Sequence, residues 1–219
     1  RLLTADGRTT WVLQSSSLLR DESGMPLYYV EQFVDVTENR ASREQLDFQT
    51  RHDPLTRLAN RHGFDEAVSH LFDGDQGDDR GHAVLFCDLD NFKAINDQFG
   101  HAVGDQVLAA AAARVQSGIR TEDTAARIGG DEFVILLRDV SEPAVASAVG
   151  DQLRAAVSLP IRNLDNPALR VTMSVGVAIS DPGSDPRAVL READDALYRA
   201  KSTGRNRVVV SAAASTRPG

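Results

Sequence analysis

Apolar and polar positions alternate in "TTWVLQSSSLLRD" and "PLYYVEQFVDV", and these two runs flank the turn cluster "DESGMP". Alternation bounded by Gly and Pro predicts two strands in an antiparallel hairpin within residues 1–36. From Thr37 to His52 the chain becomes polar and charged, as "TENRASREQLDFQTRH", which predicts a solvated connecting helix with Thr37 as N-cap. "DPLTRLANR" restarts compact structure: Asp53 as a cap and Pro54 at the first helical position predict a helix reaching about Leu71. After the polar loop "DGDQGDDRG" come strand "HAVLFCDLD", a helix near Phe92 to Gln98, a helix from Asp105 to Ser117, and strands "TAARIGG" and "DEFVILL". Gly129 and Gly130 between the last two are a hairpin signal. A helix over about Glu142 to Val157, strand "RVTMSVGVAIS", a helix from Arg187 to Thr203 and strand "RNRVVVS" follow, and residues 212–219 read as a disordered tail. The series predicts a mixed α/β (α+β) domain with an antiparallel hairpin inside its sheet.

Composition narrows the function classes. A chain of 219 residues holds one medium domain plus an appendage. The 42% hydrophobic and 26% charged content is that of a soluble globular protein, and 5% aromatics leave little for base stacking. With a net charge of −8 and no basic patch, a nucleic-acid partner is excluded, whereas a small phosphate ligand held through a cation is not. Cys87 is the single cysteine, so no internal disulfide forms, which fits a reducing, cytoplasmic compartment. No apolar run approaches the roughly 18 residues that span a bilayer, so no membrane contact is expected within this stretch. The chain opens on Arg1 and reads as part of a longer protein, whose remainder is free to be membrane-anchored.

The candidate chemistry lies in two segments. In "LFCDLDNFKAIND" an apolar strand ends in Asp88 and a helix starts about three residues later, a favoured ligand position in α/β sheets. The amides of Asn91, Phe92 and Lys93, the helix dipole and the Lys93 ammonium then form a phosphate cradle. In "RIGGDEFVILL" two carboxylates stand on a turn that needs only the glycines. If that hairpin lies beside the Asp88 strand, Asp88 and Asp131 can grip Mg²⁺, which takes one or two carboxylates plus substrate phosphate. Each piece has a plain alternative: a strand-end Asp also serves as a turn residue, Asp90 and Asn91 read equally well as caps, and "GGDE" also serves as a turn alone. Their co-occurrence in one domain favours the functional reading.

"RIGGDEF", "FCDLDNFKAINDQFGHAVGDQVL", "DPLTRLANR" and "ALYRAKSTGRN", in this order and spacing, resemble the GGDEF family of diguanylate cyclases over about residues 53–211. The resemblance implies a central, mostly antiparallel sheet wrapped by helices, related to nucleotidyl cyclases. Residues 1–38, ending "FVDVTENR", resemble the last strands of a PAS sensor domain, with residues 39–52 as a signalling helix. The implied activity is condensation of two GTP into cyclic di-GMP with release of two pyrophosphates.

By the same resemblance Asp88, Asp131 and the Leu89 carbonyl are ligands of Mg²⁺, with Mn²⁺ as an alternative. Gly129 and Gly130 leave room for the nucleotide, and Glu132 lies by the metal and the ribose 3′-hydroxyl. Lys93, Lys201 and Arg205 resemble phosphate contacts, with Phe92 beside the substrate; the two C-terminal cations also suit a helix dipole. Asn96 and Asp105 match guanine readers, although Asp105 also reads as a helix-start residue. Arg120 and Asp123, in "RTED", match the position of an RxxD site where cyclic di-GMP inhibits allosterically, although RxxD is common in surface loops. His101, in the "FGH" segment, reads as a structural hydrogen-bonding residue. Since one chain holds one GTP, a homodimer is implied for catalysis. The rival from another class is a non-catalytic receptor for GTP or cyclic di-GMP that signals by contact, against which the intact acids and lysines argue.

Overall fold

The computed structural model describes residues 1–73, 81–161 and 169–212, in two compact units, Arg1–Gln49 and Thr50–Gly219. In the first unit β1 (Leu2–Leu3) pairs with β2 (Thr9–Thr10), and β3 (Val12–Arg20) pairs antiparallel with β4 (Pro26–Asp35), as the alternation predicts. The Asp21 carboxylate closes the connecting turn by accepting the amides of Ser23 and Met25, both at 2.9 Å. Apolar side chains on both faces of the ribbon, Leu27, Tyr28, Tyr29 and Val30 among them, are exposed. The connecting helix α1 spans Thr37–Arg51. The Thr37 hydroxyl accepts the Trp11 amide at 2.8 Å, and Arg40 stacks 3.9 Å from the centroid of the Trp11 ring.

The second unit comprises α2 (Arg61–Asp73), β5 (His82–Leu89), α3 (Phe92–Phe99), α4 (His101–Ser117), β6 (Thr124–Gly129), β7 (Glu132–Leu137), α5 (Pro143–Val157), β8 (Met173–Ser180), α6 (Pro186–Ser202) and β9 (Val208–Val210). Five strands form one sheet in the order β6-β7-β5-β8-β9, antiparallel except for the β8–β9 pair. Apolar cores on both faces explain why β5 and β7 read as continuous apolar runs. One side of β5, Ala83, Leu85, Cys87 and Leu89, packs with Val107, Ala111, Val115, Leu153 and Val157 of α4 and α5. Val84, on the other side, packs with Phe64, Val68, Val189 and Ala193 of α2 and α6. No helix among the described residues is long and apolar enough to cross a membrane.

Two predicted helix starts are corrected. The segment from Asp53 is not helical, and α2 begins only at Arg61. The Asp53 carboxylate accepts the amide and hydroxyl of Thr56 at 2.8 and 2.7 Å, closing a turn, and Arg57 adopts a left-handed φ of 64°. Ala59 then bonds β6, donating to the Ala125 carbonyl at 3.1 Å and accepting the Arg127 amide at 2.8 Å. Likewise α4 starts at His101, so Asp105 lies within the helix rather than at its cap. Of the expected tail, residues 213–219 lie outside the described residues.

Candidate active site

The period of two along a strand assigns the site to one face. Asp88 shares the parity of Val84, so its carboxylate emerges on the α2/α6 face at the strand's end. Register places Glu132 of β7 and Ser174 of β8 directly opposite Asp88 on its two neighbours. Asp131 sits in the β6–β7 turn, whose Gly130 takes a φ of 41° that favours glycine. The Leu89 amide donates to the Asp131 carbonyl at 3.2 Å, binding the turn to the end of β5. The predicted acids are thus gathered at one end of the sheet. The Leu89 side chain is buried in the core, so only its backbone is available to a ligand.

α6 brings a cation to this end. The Lys201 ammonium contacts the Asp88 carboxylate at 2.7 Å, whereas the sequence reading assigns it to phosphate. Burial pushes the Asp88 carboxyl above the ordinary range, and repulsion from Asp131 and Glu132 adds to this, against the pull of Lys201. Mutual repulsion of closely placed carboxylates marks a position for a cation. Among the described residues no three His, Cys, Asp or Glu side chains form a complete metal cage. Two carboxylates leave coordination positions for backbone oxygen and phosphate, so the donor set fits a hard divalent ion. Cys87, one residue earlier, is fully buried and its thiol is pushed up by burial, so it offers no nucleophile.

Beyond Asp88, Asn91 turns the chain into α3 through a left-handed φ of 57° without capping it by its side chain. Ala94 and Ile95 bond back to the Asn91 carbonyl, so the amides of Phe92 and Lys93 precede the helical ladder. The Phe92 ring is buried and packs in the core, which leaves only its amide to face a ligand, while Lys93 is exposed. Asn96 packs against α4 at Gly104, where any Cβ would collide with its side-chain oxygen, and that buried oxygen has no hydrogen-bond partner. Asp105, exposed, follows Gly104, so the pair that the sequence marks as candidate guanine readers lies where α3 meets α4. A glycine inside a helix costs about 1 kcal/mol relative to alanine, and that anomaly in "HAVGDQV" is the signal for this close seat.

Asp90 is not a cap. Its buried carboxylate accepts the Thr172 and Ser174 hydroxyls, both at 2.6 Å, and the Asn206 amide at 3.0 Å, joining the end of β5 to β8 and to the turn after α6. Arg205, the expected phosphate contact in that turn, is exposed. A second strut was hidden in the sequence: Arg127 Nε donates to the Gly130 carbonyl at 2.9 Å, while Nη1 lies 3.2 and 3.1 Å from the two Asp53 oxygens. A cleft of about 440 Å³ adjoins this strut, lined by Asp53, Asn60, Arg61, Arg127, Gly129 and Gly130 but by none of the acids gathered at Asp88.

Arg120 and Asp123 stand apart from this centre. Asp123 precedes β6, at the end opposite the turn, and its two oxygens accept the amides of Arg120 and Arg138, both at 3.0 Å. The Arg120 side chain is exposed.

Residues 50–207 match the family described as diguanylate cyclase, GGDEF domain. The chain is 40% identical over 168 residues to the bifunctional diguanylate cyclase/cyclic di-GMP phosphodiesterase MucR of Pseudomonas aeruginosa, a match covering 76% of this chain and 24% of that protein. It is 38% identical over 177 residues to the probable diguanylate cyclase DgcE of Escherichia coli, covering 80% of this chain and 16% of that protein. The chain therefore spans about a quarter or less of these curated relatives. The solved coiled coil and GGDEF domain of DgcB from Caulobacter crescentus, in complex with cyclic di-GMP, superposes with a TM-score of 0.74 at 31% identity, over 80% of this chain and 93% of that one.

Proposed function

Because the chain belongs to the GGDEF family of diguanylate cyclase domains, we propose that it condenses two GTP into cyclic di-GMP and two pyrophosphates, acting as a homodimer. The observation that carries this reading is the placement of Asp88, Asp131 and Glu132 together at the sheet end, with Lys201 on Asp88 and the start of α3 alongside. Each 3′-oxygen attacks the α-phosphorus of the other GTP, and the bond to pyrophosphate breaks. Asp88 and Asp131 would hold Mg²⁺, or Mn²⁺, with the Leu89 carbonyl; when bound, such an ion polarises the phosphate and favours the alkoxide.

This chain's own groups do the rest. Glu132, opposite Asp88 on β7, would take the 3′-hydroxyl proton. Lys93 and Arg205 meet negative charge on the phosphates, and Lys201 exchanges Asp88 for phosphate as substrate enters. Gly129 and Gly130 let the nucleotide approach the backbone, and the start of α3 receives phosphate oxygens on its free amides. Asn96 and Asp105 read guanine: the Asp105 carboxylate accepts the guanine N1 and N2 hydrogens while the Asn96 amide meets the purine edge, and adenine would leave Asp105 unpaired.

Arg120 and Asp123 form the product-feedback site, and their place at the far end of β6 makes inhibition allosteric. Residues 1–38 are the end of a PAS sensor, 39–52 the signalling helix and 53–211 the catalytic domain, in the cytoplasm. The test is incubation of the purified chain with GTP and Mg²⁺ while measuring both products. Cyclic di-GMP and pyrophosphate in a ratio of one to two support the reading, and GTP binding without either product removes it.

A further inference from the structure

The turn after α6 is built from two consecutive non-glycine residues in the left-handed region, Arg205 at φ 58° and Asn206 at φ 46°. Such backbone persists only where surrounding contacts over-determine it. Besides the Arg207 Nε bond to the Arg205 carbonyl at 3.1 Å, three contacts do so here. The Arg205 amide returns to the Ala200 carbonyl at 3.0 Å, which ties the turn to α6. The Asn206 amide donates to buried Asp90, whose remaining bonds come from Thr172, just before β8, and Ser174 within it. The Asn206 side-chain oxygen accepts from Arg154 Nη1 on α5 at 2.9 Å, while Arg154 Nε is steadied by Asp151 at 3.1 Å. One residue is therefore gripped by its backbone from the sheet and by its side chain from a helix. None of Asp90, Asn206 and Arg154 is needed to touch a nucleotide, yet together they fix the direction of Arg205 and the end of the helix that carries Lys201.

We propose that Asp90, Asn206 and Arg154 are positioning residues that preset the Arg205 turn for the β- and γ-phosphates, and so tune affinity for a nucleoside triphosphate without altering guanine recognition. The inference rests on the reading that Lys201 and Arg205 face the phosphates. It follows from geometry: α5 and β8 act on the turn after α6, whereas Asn96 and Asp105 lie on α3 and α4. Arg154 thus extends the determinants of triphosphate binding to a helix that carries none of the residues assigned to the reaction.

The experiment is calorimetric titration of GTP and GMP, each with Mg²⁺, into wild type, Arg154→Ala, Arg154→Lys and Asn206→Gly. Arg154→Ala removes a charge-assisted bond and should weaken GTP about five- to tenfold with GMP unchanged. Arg154→Lys, which keeps a cationic donor, should recover part of the loss. Asn206→Gly accepts the left-handed φ and retains the amide for Asp90 but loses the acceptor for Arg154, so it should match Arg154→Ala and guard against a folding artefact in either. A merely structural role would lower the melting temperature and change both nucleotides in parallel, and that result, or unchanged GTP affinity in both variants, overturns the proposal. If wild type binds GTP no more tightly than GMP, the phosphate-contact reading fails first, a different outcome from a failure confined to the variants.

Discussion

Replacing Arg127 by Lys keeps the charge and removes the fork, which isolates what the strut does for the hairpin. The guanidinium spans Gly130 at 2.9 Å and Asp53 at 3.1 Å, and the side chains of Arg127 and Asp53 are only 15% and 18% exposed. A lysine ammonium is a single point and cannot serve both, so it keeps the ion pair and releases the Gly130 carbonyl. Loss of one charge-assisted hydrogen bond at a half-buried site costs about 1.5–3 kcal/mol, or roughly 3–10 °C in melting temperature for a domain of this size. The larger effect is expected in turnover, because Gly130 immediately precedes Asp131; a 1 Å displacement of a catalytic group costs about 10²-fold.

The pH dependence has a definite sign. Burial alone would raise the Asp53 carboxyl, but the Thr56 hydrogen bonds and the Arg127 charge outweigh it and hold it below the ordinary value. A lowered folded pKa stabilises the protein above the unfolded pKa, and that stability disappears as pH falls through the folded value. The stability gap between wild type and Arg127→Ala should therefore be full at neutral pH and narrow in acid. Initial rates at saturating GTP, read beside thermal melts across pH, provide the assay. Wild-type turnover in Arg127→Lys would refute the claim that the strut positions Asp131.

Three further outcomes are expected. Asp88→Asn should raise the melting temperature of the ligand-free protein at neutral pH while turnover falls about 10²- to 10³-fold. Burial and neighbouring acids raise the folded pKa of Asp88, so its charged form costs stability once pH exceeds that value, and a lower melting temperature in the variant would contradict this. Calorimetry should show GTP bound far more tightly than ATP, by up to roughly 10⁴-fold, with Asp105→Ala narrowing the gap; equal affinities would remove the guanine readers. Arg120→Ala should keep its initial rate and lose inhibition by added cyclic di-GMP, an allosteric coupling of about 1–3 kcal/mol in wild type; equal inhibition in both proteins would return "RTED" to a surface turn.

How much of this was legible in the sequence depended on the range of the interaction. Asp88, Asp131 and Glu132 stand at a strand end and on a two-glycine turn, local patterns that carry their own chemistry, and strand pairing then unites them. The roles of Asp90 and Arg127 rest on partners far away in the chain: Thr172, Ser174 and Asn206 for one, Asp53 for the other. A strand-end Asp is locally indistinguishable from a cap, so neither strut had a periodic signal. The same competition explains the late start of α2, where "DP" offers good helix-start chemistry but Asp53 is taken up by Thr56 and Arg127 and Ala59 by β6. Lys201 gains a partner that its spacing from Arg205 did not reveal, since its ammonium pairs with the Asp88 carboxylate across more than a hundred residues of chain.

The most direct test of the account is Asp131→Asn beside wild type, with GTP and Mg²⁺, following cyclic di-GMP by chromatography and mass and checking the fold by melting temperature. The carboxylate lies on an open turn rather than in the core, so the variant should melt within a few degrees of wild type. Its rate of cyclic di-GMP formation should fall about 10²- to 10³-fold. Wild type forming no cyclic di-GMP, or an Asp131→Asn variant forming it at the wild-type rate, would contradict the assignment of the reaction to this carboxylate centre.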